Sequence, residues 1–260
     1  MPRLSRLLGC LLLAGSCWGS AIAAQVSKSV VLLMSEELDG KGQVIPIRTE
    51  IMEVLHALEQ RAGLKFEIRR YPWKRALENA ANGEGLIFGI SKTRERLHNF
   101  TFSTPIFADQ SLLVTLCNAK FQFNSLNDLK GKTIGIVRGT SYGEEFDRLS
   151  NVLFKVEDDT GNIPGRFQKL VMGRMDAFLY YSSATNIRQL ENRLNQQYAA
   201  EFTGKQTNAA LFCILPKPVS SVDIHIAIRP DLDRGLMEKL DRAIVRSRED
   251  GVLARIYNPR

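Results

Sequence analysis

The 260-residue chain is poor in the groups that most enzymes work with. Histidine occurs only three times, and His56, His98 and His225 are not grouped by any metal-ligand or triad spacing. There is no His-Glu-x-x-His, no nucleophile elbow and no cysteine metal pair. Without a Gly-rich phosphate loop, nothing favours nucleotide binding, and no cofactor or metal is expected. Of four cysteines, Cys10 and Cys17 fall in the leader described below. Cys117 and Cys213 remain, both in apolar, strand-like runs. A bridge and two separate buried thiols are both open. Beyond the leader, no run approaches the eighteen or so apolar residues that a membrane span needs.

The leader is residues 1–24. Arg3 and Arg6 give a basic start, Leu7 to Ala14 an apolar core too short to span a bilayer, and Ala21-Ile22-Ala23 a small-residue cleavage site. A soluble, exported, periplasmic protein is the expectation, and a lipid-bearing cysteine is not, since neither Cys10 nor Cys17 follows a Leu-x-x spacing at the end of the apolar core. The roughly 236 residues left can bury a full core, as one large domain or two lobes. The chain carries 35 basic and 28 acidic residues. Two of the bases leave with the leader. The modest surplus is spread out, whereas nucleic acid would call for a clustered stripe. An anionic small solute fits better.

Periodicity gives alternating strands and helices. Ser29 to Met34 reads as a buried strand. Ile47, Ile51, Val54, Leu55 and Leu58 form one apolar stripe of a helix closed by Gly63. Lys65 to Ile68 is a strand, Trp73 to Asn82 a helix, and Leu86 to Ile90 a strand, so the segment is a parallel βαβ unit with right-handed crossovers. A second set follows: strand 133–137, helix 142–150, strand 154–157, helix 164–172, strand 176–181 and helix 185–194. Crossings between the two sets are placed at Phe107 to Gln110 and near Ser220-Ser221-Val222. Ile224 to Ile228 then rejoins the first set, followed by a helix with Leu232, Leu236, Leu240 and Ile244 on one stripe. The expected fold is therefore α/β in two lobes, each a mostly parallel sheet flanked by helices, joined by a two-segment hinge. Lobe 1 is 25–108 plus 222–260, and lobe 2 is 109–221.

The most informative stretch is Gly89-Ile90-Ser91-Lys92-Thr93-Arg94-Glu95-Arg96, followed by Phe102-Ser103-Thr104-Pro105. A buried strand breaks into a basic loop, and in open parallel sheets ligands sit beyond the carboxyl ends of strands. An arginine there presents a fork of donors to a carboxylate or phosphate. This pattern resembles the ligand-anchor region of bacterial periplasmic solute-binding proteins of the amino-acid-binding type, family 3, with the type II periplasmic binding fold. Three further segments carry the resemblance, in order: Tyr71-Pro72-Trp73 ahead of Lys74-Arg75-Ala76-Leu77; Leu126 to Ile136 followed by Gly139-Thr140-Ser141; and Gly173-Arg174-Met175-Asp176-Ala177.

The resemblance implies roles. Arg96 would clamp a ligand carboxylate, its side chain facing solvent in an open form, with Ser91 completing the clamp and Gly89 letting the ligand approach the backbone. Trp73 would stack on the ligand, with Tyr71 a weaker second. Thr140 and Ser141 would offer exposed N–H groups at a helix start. Glu36 sits near the place of an acid at the end of the first strand. In members that bind α-amino acids, an Asp at the end of the strand after Asp176 pairs with the ligand ammonium; here that place falls on Tyr181, with Tyr180 beside it. The departure argues for a carboxylate-bearing ligand without a free α-amino group, or one with an aromatic part, unless another acid such as Glu36 substitutes. The reading is thus non-catalytic capture of a small solute, an amino acid or related organic anion, for an inner-membrane ABC-type permease. Presentation of the solute to a sensor receptor is one alternative, and a dehydratase-like enzyme using Glu36 or Glu37 another. The protein is expected to act as a monomer.

Overall fold

A computed structural model describes residues 28–183, 186–203 and 210–257. The leader lies outside these residues. The first part of the chain runs β1 (Lys28–Ser35), α1 (Thr49–Ala62), β2 (Leu64–Tyr71), α2 (Trp73–Ala81), β3 (Leu86–Ile90), α3 (Arg94–Asn99) and β4 (Thr101–Phe102). Then come β5 (Phe107–Leu116), β6 (Thr133–Val137), α4 (Glu144–Leu149), β7 (Lys155–Asp159), α5 (Ile163–Val171), β8 (Ala177–Ser182), α6 (Ile187–Leu194), α7 (Ala200–Thr203) and β9 (Phe212–Ile214). The chain returns through β10 (Ser220–Ile228) and ends in α8 (Leu236–Glu249) and α9 (Val252–Tyr257).

The strands form one hydrogen-bonded path, β2-β1-β3-β10-β5-β8-β6-β7. At one end β1 pairs in parallel with β2 and β3; at the other β6 pairs in parallel with β7 and β8. Between these parallel groups lie the two crossing strands. Ser220–Ile224 of β10 runs antiparallel to Phe107–Ser111 of β5, while the following residues of β10 pair with β3. The register shifts between His225 and Ile226, so a bulge lies where β10 changes partner. Such a bulge increases local twist.

Both faces of each sheet are covered, as parallel sheets require. In the first lobe Val54, Leu55, Leu58, Leu240 and Ile244 pack on one face, and Trp73, Ala76 and Ala80 on the other. In the second, Phe167, Leu170, Phe178 and Leu190 form one cluster and Ile134, Tyr142, Phe146 and Phe154 another. The α1 stripe buries Ile51, Val54, Leu55 and Leu58, and Gly63 closes the helix at φ 63°. Cys117 and Cys213 are bridged, Cα atoms 4.9 Å apart, which ties the end of β5 to β9.

Three local readings change. The basic stretch after β3 is a short helix, not a loop: the Thr93 hydroxyl accepts the Arg96 N–H at 3.2 Å and caps it. That helix carries His98. Leu232 belongs to a 3₁₀ turn, Pro230–Leu232, ahead of α8. The helix expected from Tyr142 starts only at Glu144, which changes the site.

Candidate functional site

A cavity of about 240 Å³ lies between the lobes. Of the nine residues singled out from sequence, Glu36, Trp73, Gly89, Ser91, Arg96, Thr140 and Tyr181 line it. Tyr71 and Ser141 do not. Tyr71 donates its hydroxyl to Glu84 Oε1 at 2.9 Å, away from the cavity. Ser141 donates to the Asp147 carboxylate, and that carboxylate also accepts the Tyr142 N–H at 3.0 Å.

The Ser141 hydroxyl is thus turned to Asp147 rather than to the cavity. The Thr140 N–H closes a turn on the Val137 carbonyl at 3.1 Å. Helix α4 begins three residues beyond Ser141, and its first turn carries Glu144, Glu145 and Asp147. Those acids already complement the positive end of the helix.

Arg96 is the centre of the site, but it is not solvent-facing. It is 7% exposed. Its Nη1 donates to the Ser91 carbonyl at 3.0 Å and the Ser91 hydroxyl at 3.1 Å, and Nη2 donates to the Gly139 carbonyl at 3.1 Å. Three of the five guanidinium N–H donors are thus engaged among the described residues, leaving two for a ligand oxygen. The guanidinium lies 5.9 Å from the Trp73 ring centre, within cation–π range. Burial pulls the Arg96 pKa down, against the opposing pull of Tyr181 and Asp147. Gly89, at φ 89°, leaves open space where a side chain would begin, as a wall receiving a ligand needs.

The lobes touch on both sides of this cavity. On one side the Gly139 carbonyl accepts from Arg96 and, at 3.1 Å, from Trp73 Nε1. On the other, Leu38 N–H reaches the Gly161 carbonyl at 3.5 Å. Both contacts run through glycines of positive φ, 79° and 108°. A Cβ on Gly139 would stand 3.1 Å from Lys74 Cβ, and one on Gly161 3.2 Å from the Glu36 carbonyl oxygen. An exposed pair, Arg94 with Glu144 at 3.4 Å, also bridges the rim.

Tyr181 does not present its hydroxyl to the cavity as an ammonium partner. It donates to the Ser141 carbonyl at 2.5 Å, and its ring stacks on Tyr142, centroids 5.1 Å apart. Burial raises its pKa well above the ordinary range. Tyr142 is likewise pushed up to about 12 by burial, and its oxygen accepts the Val137 N–H at 3.0 Å. The two rings are wall rather than acid–base machinery. Of the histidines, His225 is buried with a ring nitrogen 2.7 Å from the Ser103 carbonyl; it and His98 make backbone contacts outside the cavity.

Two buried charged residues of the cavity wall were missed. Arg166, 5% exposed, pairs with Asp159 at 3.3 Å and donates to the Leu179 carbonyl at 3.2 Å. Its signal was available: Ile163, Arg166, Phe167 and Leu170 make one helical stripe, and a cation on an apolar stripe is a buried cation. Asp109 is the other. It alternates with Phe107, Ser111 and Leu113 on the inward face of β5, so period-two counting would have placed an acid inside.

A two-lobed α/β molecule with antiparallel crossing strands and an arginine-centred cleft between the lobes is the architecture of a solute-binding protein. Bacterial extracellular solute-binding proteins, family 3, match residues 50–259, and the chain belongs to that family. It is 26% identical over 173 residues to ABC transporter arginine-binding protein 1 of Escherichia coli K12, a match covering 66% of this chain and 64% of that protein. It is 23% identical over 205 residues to an L-cystine-binding protein of the same organism, covering 78% and 70%. The chain thus spans about two thirds of the length of these relatives. In fold it is similar to an ancestral arginine-binding protein bound to arginine, with TM-score 0.66, 22% identity, and 88% and 96% of the two chains covered. An amino acid ABC transporter substrate-binding protein of Streptococcus pneumoniae bound to L-arginine gives TM-score 0.65 at 20% identity, covering 88% and 92%.

Proposed function

We propose that the protein captures a small carboxylate-bearing solute, an amino acid or related organic anion, in the interlobe cavity and delivers it from the periplasm to an inner-membrane ABC-type permease. One observation carries the reading: a buried guanidinium, fixed by Ser91 and flanked by Trp73, faces the cavity with donors to spare. A pre-oriented, desolvated arginine binds a carboxylate more strongly than an exposed one, because its fork need not be ordered or stripped of water on binding. Binding without chemistry agrees with the wall composition. The family is one of solute binders, and the tyrosines around the cavity are held protonated. The names of the relatives, arginine- and cystine-binding, support an amino acid or a near analogue.

In this reading lobe 1 is 25–108 with 222–260 and lobe 2 is 109–221. The paired segments Phe107–Ser111 and Ser220–Ile224 act as the hinge, and closure brings Gly139 and Gly161 onto lobe 1. The solute would be bound by Arg96, Ser91, Gly89, Trp73, Thr140, Tyr181 and Glu36.

The test is a thermal-shift and calorimetric screen of refolded, ligand-stripped protein against amino acids, dicarboxylates and aromatic acids. A ligand at a hundred times its Kd adds about 2.7 kcal/mol to stability. Arg96→Ala should weaken the best hit by about 100-fold, the worth of a charge-assisted pair. Unchanged affinity with native circular dichroism would refute the clamp. A hit returned chemically altered would refute binding without chemistry.

A further inference from the structure

We infer that Asp109 is the cation anchor of the cleft: its carboxylate receives a positively charged nitrogen of the solute whose carboxylate Arg96 holds. The inference rests on the capture function proposed above and narrows the solute to an amphoteric one, with an ammonium or guanidinium beside its carboxylate.

Asp109 is 9% exposed, lines the cavity, and has one carboxylate oxygen, Oδ1, buried with no hydrogen-bond partner among the described residues. An ionised carboxylate taken out of water without a partner is among the costliest groups a fold can hold. Four arginines line the same cavity, Arg48, Arg70, Arg96 and Arg166, yet none makes an ion pair with Asp109 among the described residues. Arg70 donates to the Ser35 and Ile45 carbonyls at 3.2 and 2.5 Å. Arg166 is committed to Asp159, and Arg96 to Ser91 and Gly139. Arg48 is exposed, and its field reaches Asp109 without a contact. The fold has cations at hand and leaves this acid unpaired.

Its position suits a ligand. Ser111 stands opposite Tyr181 in the β5–β8 register, and Asp109 lies two residues along the same strand. Residues i and i+2 share a face, so Asp109 is a diagonal neighbour of Tyr181 on the cavity side. On its other flank Asp109 pairs with Val222 of β10. The carboxylate therefore sits on the strand pair that joins the lobes, whereas Arg96 comes from lobe 1. Other groups that feel its charge are Tyr257 of α9 and Tyr181. The Tyr257 hydroxyl is itself buried without a partner among the described residues. Glu36 and Glu37, the other acids in the wall, are half-buried and exposed and can be solvated without a ligand.

The experiment is calorimetry on ligand-stripped protein with matched probes: L-arginine against pentanoate, L-lysine against hexanoate, L-phenylalanine against 3-phenylpropionate, and L-cystine against 3,3′-dithiodipropionate. Each second member keeps the carboxylate and loses every cationic nitrogen. Wild type should bind a nitrogen-bearing member about 100-fold or more tighter than its partner. Asp109→Asn should cut that preference to about tenfold or less, with the deaminated acid unaffected within about threefold. Asp109→Ser serves the same purpose if the amide variant loses native circular dichroism. A wild type that prefers deaminated acids, through Arg96, overturns the inference and leaves the capture function standing. The same holds if the variants keep the full preference. If no probe of either kind binds, both readings fall.

Discussion

Asp109 sets up a stability test whose sign is opposite to that of most carboxylates. Burial is the main cause that lifts its pKa from 3.8 to about 6, with Arg48 pulling weakly the other way. A group whose folded pKa is raised binds its proton more tightly in the native state, so it costs stability once pH passes the unfolded value. Below about 3.8 both states are protonated and the cost is absent; above about 6 it is complete. The difference between these pKa values corresponds to about 3 kcal/mol at full ionisation. Integrating the linkage gives a cost of about 1 kcal/mol at pH 4.5 and about 3 kcal/mol at pH 7.5. Asp109→Asn removes the titration. Its amide must itself be buried, which adds a constant offset, but the gap between variant and wild type should widen by about 2 kcal/mol from pH 4.5 to 7.5. For a chain of this size that is a shift in relative Tm of about 4–8 °C. Urea unfolding of ligand-stripped protein at pH 4.5, 6.0 and 7.5, with the disulfide intact, measures it directly. A gap constant across the three pH values would mean that Asp109 is paired or solvated in the native state and would sink the reasoning.

Other consequences are simpler to check. The Cys117–Cys213 bridge closes a segment with a sequence separation of 96. In the chain-entropy account it contributes about 4–5 kcal/mol, so the double serine variant should lose several kcal/mol in urea unfolding while keeping its ligand. Gly139→Ala and Gly161→Ala should each strain a positive-φ position and press a methyl against lobe 1. Ligand affinity should fall about tenfold and the radius of gyration by small-angle scattering should rise; wild-type affinity in both would mean the rim contacts do not govern closure.

The fold was legible because its signals are redundant. The α1 stripe and its Gly63 cap agree, β3 is bounded by Gly85 and Ser91, and strands alternate with helices throughout. What escaped was local competition for hydrogen bonds. Helix α3 is only six residues long, with no apolar stripe to count; its cap at Thr93 was the one available cue. The start of α4 was misplaced because Asp147, four residues into it, reaches back to Ser141 and Tyr142 and holds them outside the helix. No periodicity reports a carboxylate folding back. Arg96 was found from its motif, but its burial with the lobes in contact was not legible there, since the Gly139 carbonyl that covers it comes from a segment more than forty residues away. Asp109 was missed because the stretch 107–110 was read as a crossing, and a crossing was not asked what it points inward.

That oversight bears on the ligand. Tyr181 in place of an acid argued for a solute without a free amine, on the assumption that the cation site and the end of β8 are one place. The β5–β8 register separates them. Tyr181 spends its hydroxyl on Ser141 and its ring on Tyr142, and the negative charge appears one pleat away, on β5. A cation can then be held from the crossing strand β5 rather than from the end of β8. Such a cation would neutralise a carboxylate that the empty fold keeps ionised at a cost of about 3 kcal/mol at neutral pH. Relief of that cost adds to binding only for solutes that bring positive charge, so the same residue that lowers stability would sharpen selectivity. Because Asp109 pairs with Val222 in the crossing strands, its neutralisation would also fall on the two segments proposed above as the hinge.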